Sequence, residues 1–289
     1  MRILVTGSEG QVARSLAEQA GGHELVFAAR PDLDLAIPET IEAIVARVHP
    51  DLIISAAAYT AVDKAESETE LAMAINGEAP GVLARAGAKI GAPIIHLSTD
   101  YVFDGSLDRP WREDDAVGPI NAYGATKLAG EQAVQASGAT YAILRLAWVY
   151  SPFGNNFVRT MLRLAETRDT LGVVYDQRGN PSSAIDIATA ILTVTNAWRG
   201  GASNGVYHFA GTGETDWAGF AREIFAESAA RGGPSAAVNG IPSSDYPTPA
   251  RRPTNSRLDC SRFTETFGYS APRWQESLAV VIGRLLEKA

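Results

Sequence analysis

The sequence predicts an α/β protein built on a doubly wound parallel sheet, followed by a smaller lobe. Three observations carry that prediction. Short β-branched and aliphatic runs alternate with segments of helical period up to about residue 148. Strands separated by helices do not pair as hairpins; they line up in parallel, with helices on both faces. The first run ends in a glycine turn that opens a helix, Gly7-Ser8-Glu9-Gly10-Gln11. Beyond residue 150 the segments become shorter and less regular. The expected division is therefore a sheet domain over 1–150 and a lobe over 151–289, with some of its segments returning to the main sheet.

Residues 2–6 (RILVT) read as a buried strand. Gly7 and Gly10 let the backbone approach a phosphate, and a helix over 12–20 points N–H groups and its positive dipole end at the same place. Ala13 stands where a third glycine often sits, and a small residue meets the packing need there. A second strand over 24–29 ends in Arg30. An acidic residue at that point would hold a ribose 2′-hydroxyl. Arginine accepts a 2′-phosphate instead, which favours NADPH; Asp32 and Asp34 nearby leave NADH open. Residues 38–48 form an amphipathic helix, and 51–58 (DLIISAAA) a strand whose small final residues let a ligand lie against the backbone. A polar loop over 59–70 leads into a helix over 71–90 that contains Asn76.

The fourth strand, 93–97, ends in Ser98 and Thr99. Hydroxyls at the carboxyl end of a parallel strand sit where open sheets bind ligands. A loop over 104–121 precedes a helix over 122–135, then a strand over 140–148 ending in Trp148 beside a Gly/Asn-rich loop. The lobe reads as a helix over 156–168, a strand over 170–175 able to return to the main sheet, a helix over 184–198, a strand over 205–209, and helices over 217–231 and 274–288. The Pro-rich stretch 243–258 carries Arg251, Arg252 and Arg257. It is a surface loop and, in an acidic protein, a candidate phosphate clamp.

A net charge of -8 argues against generic binding to nucleic acid or anionic membranes, so a nucleotide ligand needs a local positive site. The one cysteine, Cys260, excludes an intrachain disulfide and suits a reducing compartment. No apolar run approaches the roughly 18–20 residues of a membrane span, and no leader-like segment precedes the first strand. A cytoplasmic enzyme or binding protein is expected.

The stretch GPINAYGATKLAGE (118–131) carries the chemistry. A spacing of four places Tyr123 and Lys127 on one helix face, about one turn apart. A nearby ammonium favours the phenolate, so the Tyr pKa is expected to fall from about 10 toward working pH. A phenol tuned in this way can protonate a developing alkoxide. The same spacing also arises by chance on an ordinary helix face, and the flanking motifs decide between the two.

Those motifs are GSEGQV (7–12), SAAAYTAVDKAES (55–67), STDYVFDG (98–105), AYGATKLAGE (122–131), RLAWVY (145–150), GNNFVRTMLRLA (154–165) and YPTPARRPTNSRL (246–258). On them the chain resembles the extended short-chain dehydrogenase/reductase family, with its Rossmann-type fold, and within it the branch that reduces 4-keto-6-deoxy sugar nucleotides. The resemblance implies NADPH-dependent reduction of dTDP-6-deoxy-L-lyxo-4-hexulose to dTDP-L-rhamnose. It implies Thr99, Tyr123 and Lys127 as catalytic residues. Gly7, Gly10, Gln11 and Val12 would lie on the cofactor pyrophosphate, Arg30, Asp34 and Leu35 near its adenosine, and Ala58, Tyr59 and Thr60 further along. Tyr123 and Lys127 would also touch the cofactor. Val62, Asp100 and Trp148 would contact the sugar nucleotide with Thr99 and Tyr123, and Arg251 and Arg252 its phosphates.

Some relatives hold magnesium between subunits with glutamates. The positions aligned with those ligands are Ser15, Ile185 and Arg284, none acidic. No magnesium site is therefore expected, and the chain should be a monomer or weak homodimer. A sugar-nucleotide 4,6-dehydratase needs an Asp-Glu pair after the threonine, whereas Tyr101 follows Asp100 here. A non-catalytic nucleotide-binding regulatory subunit of the same fold is the rival from another class. So is, among enzymes, a reductase of another 4-keto-6-deoxy sugar nucleotide.

Overall fold

Six parallel strands form the central sheet of the computed structural model, which describes residues 1–198 and 204–287. These are β1 (Arg2–Thr6), β2 (Glu24–Ala28), β3 (Leu52–Ser55), β4 (Ile94–Thr99), β5 (Tyr141–Leu146) and an edge strand, Gly205–Phe209. Their order across the sheet is edge strand, β5, β4, β3, β1, β2. Ile3 and Val5 of β1 pack with α1 (Gln11–Glu18) and α8 (Ala184–Trp198) on one face. Leu4 packs on the other with α2 (Pro38–Val48), α5 (Ala79–Lys89) and α6 (Ala122–Gln135). Because both faces are covered, the strands read as unbroken apolar runs rather than alternating ones.

The polar stretch expected as loop contains a short helix, α3 (Val62–Ala65), and the start of a second, α4 (Thr69–Met73). The helix expected over 71–90 is interrupted by a π-helical segment, Ala74–Glu78, before α5. Pro80 has no N–H to give the Asn76 carbonyl, so the regular ladder cannot pass this point. That carbonyl instead lies against Gly130 of α6, where a Cβ would collide with it.

The lobe has its own core, in which Val158, Leu162, Phe220, Ile224, Leu278 and Val281 meet. They come from α7 (Phe157–Ala165), α9 (Trp217–Ala229) and α11 (Trp274–Leu286); a helix α10 (Ser261–Phe267) lies between the last two. Residue 288, the expected end of α11, lies outside the described residues. The strand expected to rejoin the main sheet, Thr170–Val174, does not. It pairs in parallel with Ala237–Ile241, a strand the sequence reading missed. Its residues alternate between exposed and buried, the pattern of a strand with one solvated face, whereas a central parallel strand is buried on both. Gly205–Phe209 rejoins the central sheet instead, pairing with β5.

Two glycines test this packing with opposite signs. Alanine in a helix interior normally stabilises by about 0.5–1 kcal/mol over glycine. Gly283→Ala in α11, where the nearest atom lies 3.7 Å from the added carbon, should raise the unfolding midpoint. Gly130→Ala should lower stability by about 1–3 kcal/mol through the clash with the Asn76 carbonyl. Denaturant unfolding of both variants checks the pair.

Candidate active site

Strand β1 lies between β2 and β3, so successive connections leave it in opposite directions. Open α/β sheets bind ligands outside the carboxyl ends of the strands at such a switch point. The chain is drawn tight there. Thr6 Oγ1 accepts hydrogen bonds from the N–H groups of Ala56 and Ala57, both at 3.0 Å. Gly7 follows at φ 83° and donates its N–H to the Ala28 carbonyl at 2.7 Å. A Cβ on Gly7 would sit 3.2 Å from that of Ala57. Helix α1 begins at Gln11 with Gly10 as its N-cap and no side-chain hydrogen bond to its free N–H groups. Nothing lies within 4 Å of where a Gly10 Cβ would be, so this helix end is open to an anion.

Beside it lies a cavity of about 540 Å³ lined by Gly7, Arg30, Asp34, Leu35, Ala58, Tyr59 and Thr60, all expected from the sequence. Lys64, Glu68, Leu71 and Ile75 also line it and were missed, because they come from α3, the N-cap of α4, α4 itself and the π segment, in the region read as loop or plain helix. Gly10, Gln11 and Val12 belong to the helix end rather than the cavity wall. The Val12 side chain is core, so its contribution is its backbone N–H. The Gln11 carboxamide is committed to the lobe: its Oε1 accepts from Ser151 Oγ at 2.8 Å and Asn156 Nδ2 at 3.0 Å. Of the cavity's charges, Asp34 Oδ1 accepts from the Ala36 N–H at 3.0 Å and Glu68 Oε2 from the Tyr59 hydroxyl at 2.7 Å. Among the described residues Arg30 and Lys64 find no ion-pair partner. A dinucleotide fits this set: backbone and helix end for phosphates, apolar wall for a base, free cations for a ribose phosphate.

Thr99 and Tyr123 meet where β4 ends beside α6, and Lys127 follows one turn along the helix. Asn121 caps the helix by accepting the Gly124 N–H at 2.7 Å, and its Nδ2 donates to the Arg251 carbonyl at 2.8 Å. Gly124 has no room for a Cβ, because the Tyr101 carbonyl occupies that space. The Thr99 hydroxyl donates to Asp100 Oδ1 at 2.8 Å and lies against the Tyr123 phenol. Lys127 Nζ donates to the Leu97 carbonyl at 2.6 Å.

The electrostatics correct one expectation. Tyr123 is not drawn down by Lys127. Burial pushes its phenol up to about 12, with the Asp100 charge acting the same way and the Thr99 hydroxyl partly opposing. The lysine itself is pushed down to about 8 by burial, against the field of Glu131. Spacing along a helix sets which face two residues share, but not how much water each loses. Asp100 is likewise raised by burial to about 6.

On the lobe side, Val62 opens α3 and is partly buried. Trp148 is held at φ 44°, a region bulky side chains rarely adopt, with its indole stacked on Trp217 at 3.6 Å between centroids. Gly179 gives the room for it. Arg252, expected near phosphates, is instead paired with Asp63 through two 2.9 Å hydrogen bonds. Arg251 is exposed. Among the described residues no group of three or more His, Cys, Asp or Glu side chains is placed to hold a metal ion. Arg284 pairs with Glu18 at 2.6 Å.

The raised Asp100 pKa has a consequence for stability. Well below pH 3.8 its carboxyl is protonated in folded and unfolded chains alike; between 3.8 and about 6 the folded chain keeps the proton that the unfolded chain mostly loses. Stability therefore falls as pH rises through that window, by up to about 3 kcal/mol. Asp100→Asn should abolish this component, so unfolding free energies of variant and wild type should diverge from pH 4 to 7 in the variant's favour.

Comparison with known proteins agrees with this geometry. The model of the RmlD substrate binding domain family matches residues 1–287. The chain is 47% identical to the dTDP-4-dehydrorhamnose reductase of Sinorhizobium fredii, over 99% of this chain and 98% of the relative. It is 42% identical to that of Escherichia coli K12, again over 99% and 98%. Among solved structures, the reductase of Clostridium acetobutylicum superposes with a TM-score of 0.93 at 38% identity, covering 99% of this chain and all of that one. That of Bacillus anthracis, in complex with NADP, superposes at 0.91 and 32% identity, covering 100% and 99%. The chain belongs to the dTDP-4-dehydrorhamnose reductase family.

Proposed function

We propose that the protein reduces the 4-keto group of dTDP-4-dehydrorhamnose with NADPH, giving dTDP-L-rhamnose, and that Thr99, Tyr123 and Lys127 carry the reaction. The observation that carries this reading is the contact of Thr99 with Tyr123 at the end of β4, with Lys127 one turn along α6 bonded to β4 at Leu97, beside the cleft at the switch point. NADPH, when bound, supplies the hydride. Tyr123 gives its proton to the oxygen at C4, forming the hydroxyl. Thr99 donates a second hydrogen bond to that oxygen, and release from Asp100 frees it to do so. Lys127 keeps two N–H donors beyond the one given to Leu97. They would hold the nicotinamide ribose. Val62, Asp100 and Trp148 face the sugar nucleotide.

Arg30 supports the preference for NADPH, since it is exposed on the cavity wall and unpaired. We assign residues 1–150 to cofactor binding and catalysis and 151–289 mainly to substrate binding, with α8 and the edge strand returned to the sheet. Among the described residues no helix is long and apolar enough to cross a membrane. That and the lone Cys260 support a cytoplasmic location. A monomer or weak homodimer without magnesium is the assembly we expect, and EDTA should leave activity intact.

The key test is NADPH oxidation with the 4-keto sugar nucleotide. Tyr123→Phe should keep cofactor binding and lose about 10²–10⁴-fold in turnover; full activity would reject the mechanism. Arg30→Ala should raise the KM for NADPH by about tenfold, the worth of roughly one charged hydrogen bond, and leave that for NADH near its wild-type value. A wild-type preference for NADH would sink the cofactor assignment.

A further inference from the structure

Behind Lys127 the sheet and α6 enclose a layer of charged side chains that the proposed reaction does not use. Glu131 lies one turn beyond Lys127, so Tyr123, Lys127 and Glu131 share one face of α6. Its carboxylate is 2% exposed. Arg145 of β5 donates to it twice, Nε to Oε1 at 2.9 Å and Nη2 to Oε2 at 2.8 Å, and Ser98 of β4 donates at 2.5 Å. Arg145, 4% exposed, also lies over the Phe103 ring, 5.0 Å from its centroid.

An ion pair buried this deeply is costly to desolvate and is weak evidence of stabilisation by itself. Its position offers another role. Lys127 Nζ turns to the Leu97 carbonyl and not to Glu131. Both carboxylate oxygens are already occupied by Arg145 and Ser98. The ammonium thus feels a negative charge without being captured by it, and its remaining donors stay free. Direct capture would fix the lysine one turn too far back along α6.

We propose that Glu131 is a positioning residue which, anchored by Arg145 and Ser98, keeps Lys127 charged and facing the reaction centre. The inference rests on the reading of Tyr123 and Lys127 given above. The groups around Lys127 accord with it. From α6 itself come Tyr123 and Glu131. From β4 comes His96, kept neutral by burial and by the lysine charge. Asp100 follows β4 and acts on Tyr123. From β5 comes Arg145, and from the edge strand His208, pushed down to about 3 chiefly by burial. Of these, Glu131 is the group whose field supports the lysine charge against burial.

The test measures turnover, and separately NADPH affinity by nicotinamide fluorescence without substrate, from pH 6 to 9.5. In Glu131→Gln the alkaline limb of both should move down by about one pH unit, giving a deficit that grows toward tenfold as pH rises. Glu131→Asp, which keeps the charge, should restore most of the shift. Profiles that superpose on wild type, or a loss equal at every pH, would overturn the proposal and leave the pair a purely structural one. Should Glu131→Gln not fold, Glu131→Gln/Arg145→Gln removes both charges and leaves no orphaned ion. A downward shift supports the proposal there, smaller than in the single variant because the opposing Arg145 charge is lost as well, and a wild-type limb overturns it. If neither glutamine variant folds, Glu131→Asp alone decides, since withdrawing the carboxylate by one methylene should move the limb slightly down and an unmoved limb overturns the proposal. Tyr123→Phe and Lys127→Met run alongside. Wild-type turnover in these would reject the site reading itself, whereas their loss with an unmoved Glu131→Gln limb rejects only the role of Glu131.

Discussion

Helix α6 is pressed against the turn that follows β4 and against the π segment at backbone distance, and the rest of the site depends on that contact. Two of its glycines make it possible. Gly124 yields to the Tyr101 carbonyl and Gly130 to the Asn76 carbonyl. The π segment follows from Pro80, which cannot extend the ladder and leaves the Asn76 carbonyl free to face α6. Asn76 then uses its side chain as well, accepting the Tyr59 N–H at 2.8 Å and donating to the Tyr59 carbonyl at 3.0 Å and to Thr126 at 3.2 Å. The cavity-lining segment 57–60 and the helix bearing Tyr123 are therefore held by one residue.

Because the contact is so close, it excludes water, and dehydration governs the charges inside it. Tyr123 and Asp100 are raised and Lys127 is lowered, each chiefly by burial. A buried charge is tolerated only where a partner or a hydrogen-bond set meets it. Glu131 and Arg145 satisfy one another. Asp100 relies on the Thr99 and Ser256 hydroxyls and nearby backbone N–H groups, and Lys127 on a carbonyl, which leaves them responsive to whatever enters the site.

The lobe is joined to the sheet domain at points that border the site. Gln11, at the open end of α1, is tied to Ser151 and Asn156. Asp63, beside Val62, is tied to Arg252 of the Pro-rich loop. The loop that looked like a phosphate clamp thus serves first as a strap across α3. An arginine-rich run shows in a sequence as available charge; whether that charge is already spent depends on a carboxylate some 190 positions away.

The alternation of short apolar runs with helical segments determined the parallel sheet, because each element carries its own period and its own stop signals. Gly7, Gly10, Thr99, Tyr123 and Lys127 stood out as candidates for the same reason: they sit in local motifs at strand ends and on a helix. The tertiary structure alone decided which strands share a sheet. Thr170–Val174 and Gly205–Phe209 look alike as five-residue runs, and only the faces they meet separate them. It alone decided Lys64 and Glu68 as cavity wall, the Glu131–Arg145 pair across α6 and β5, and the sense of the Tyr123 shift. Those properties arise from contacts between distant segments and from the loss of water around them, and neither is written in local spacing.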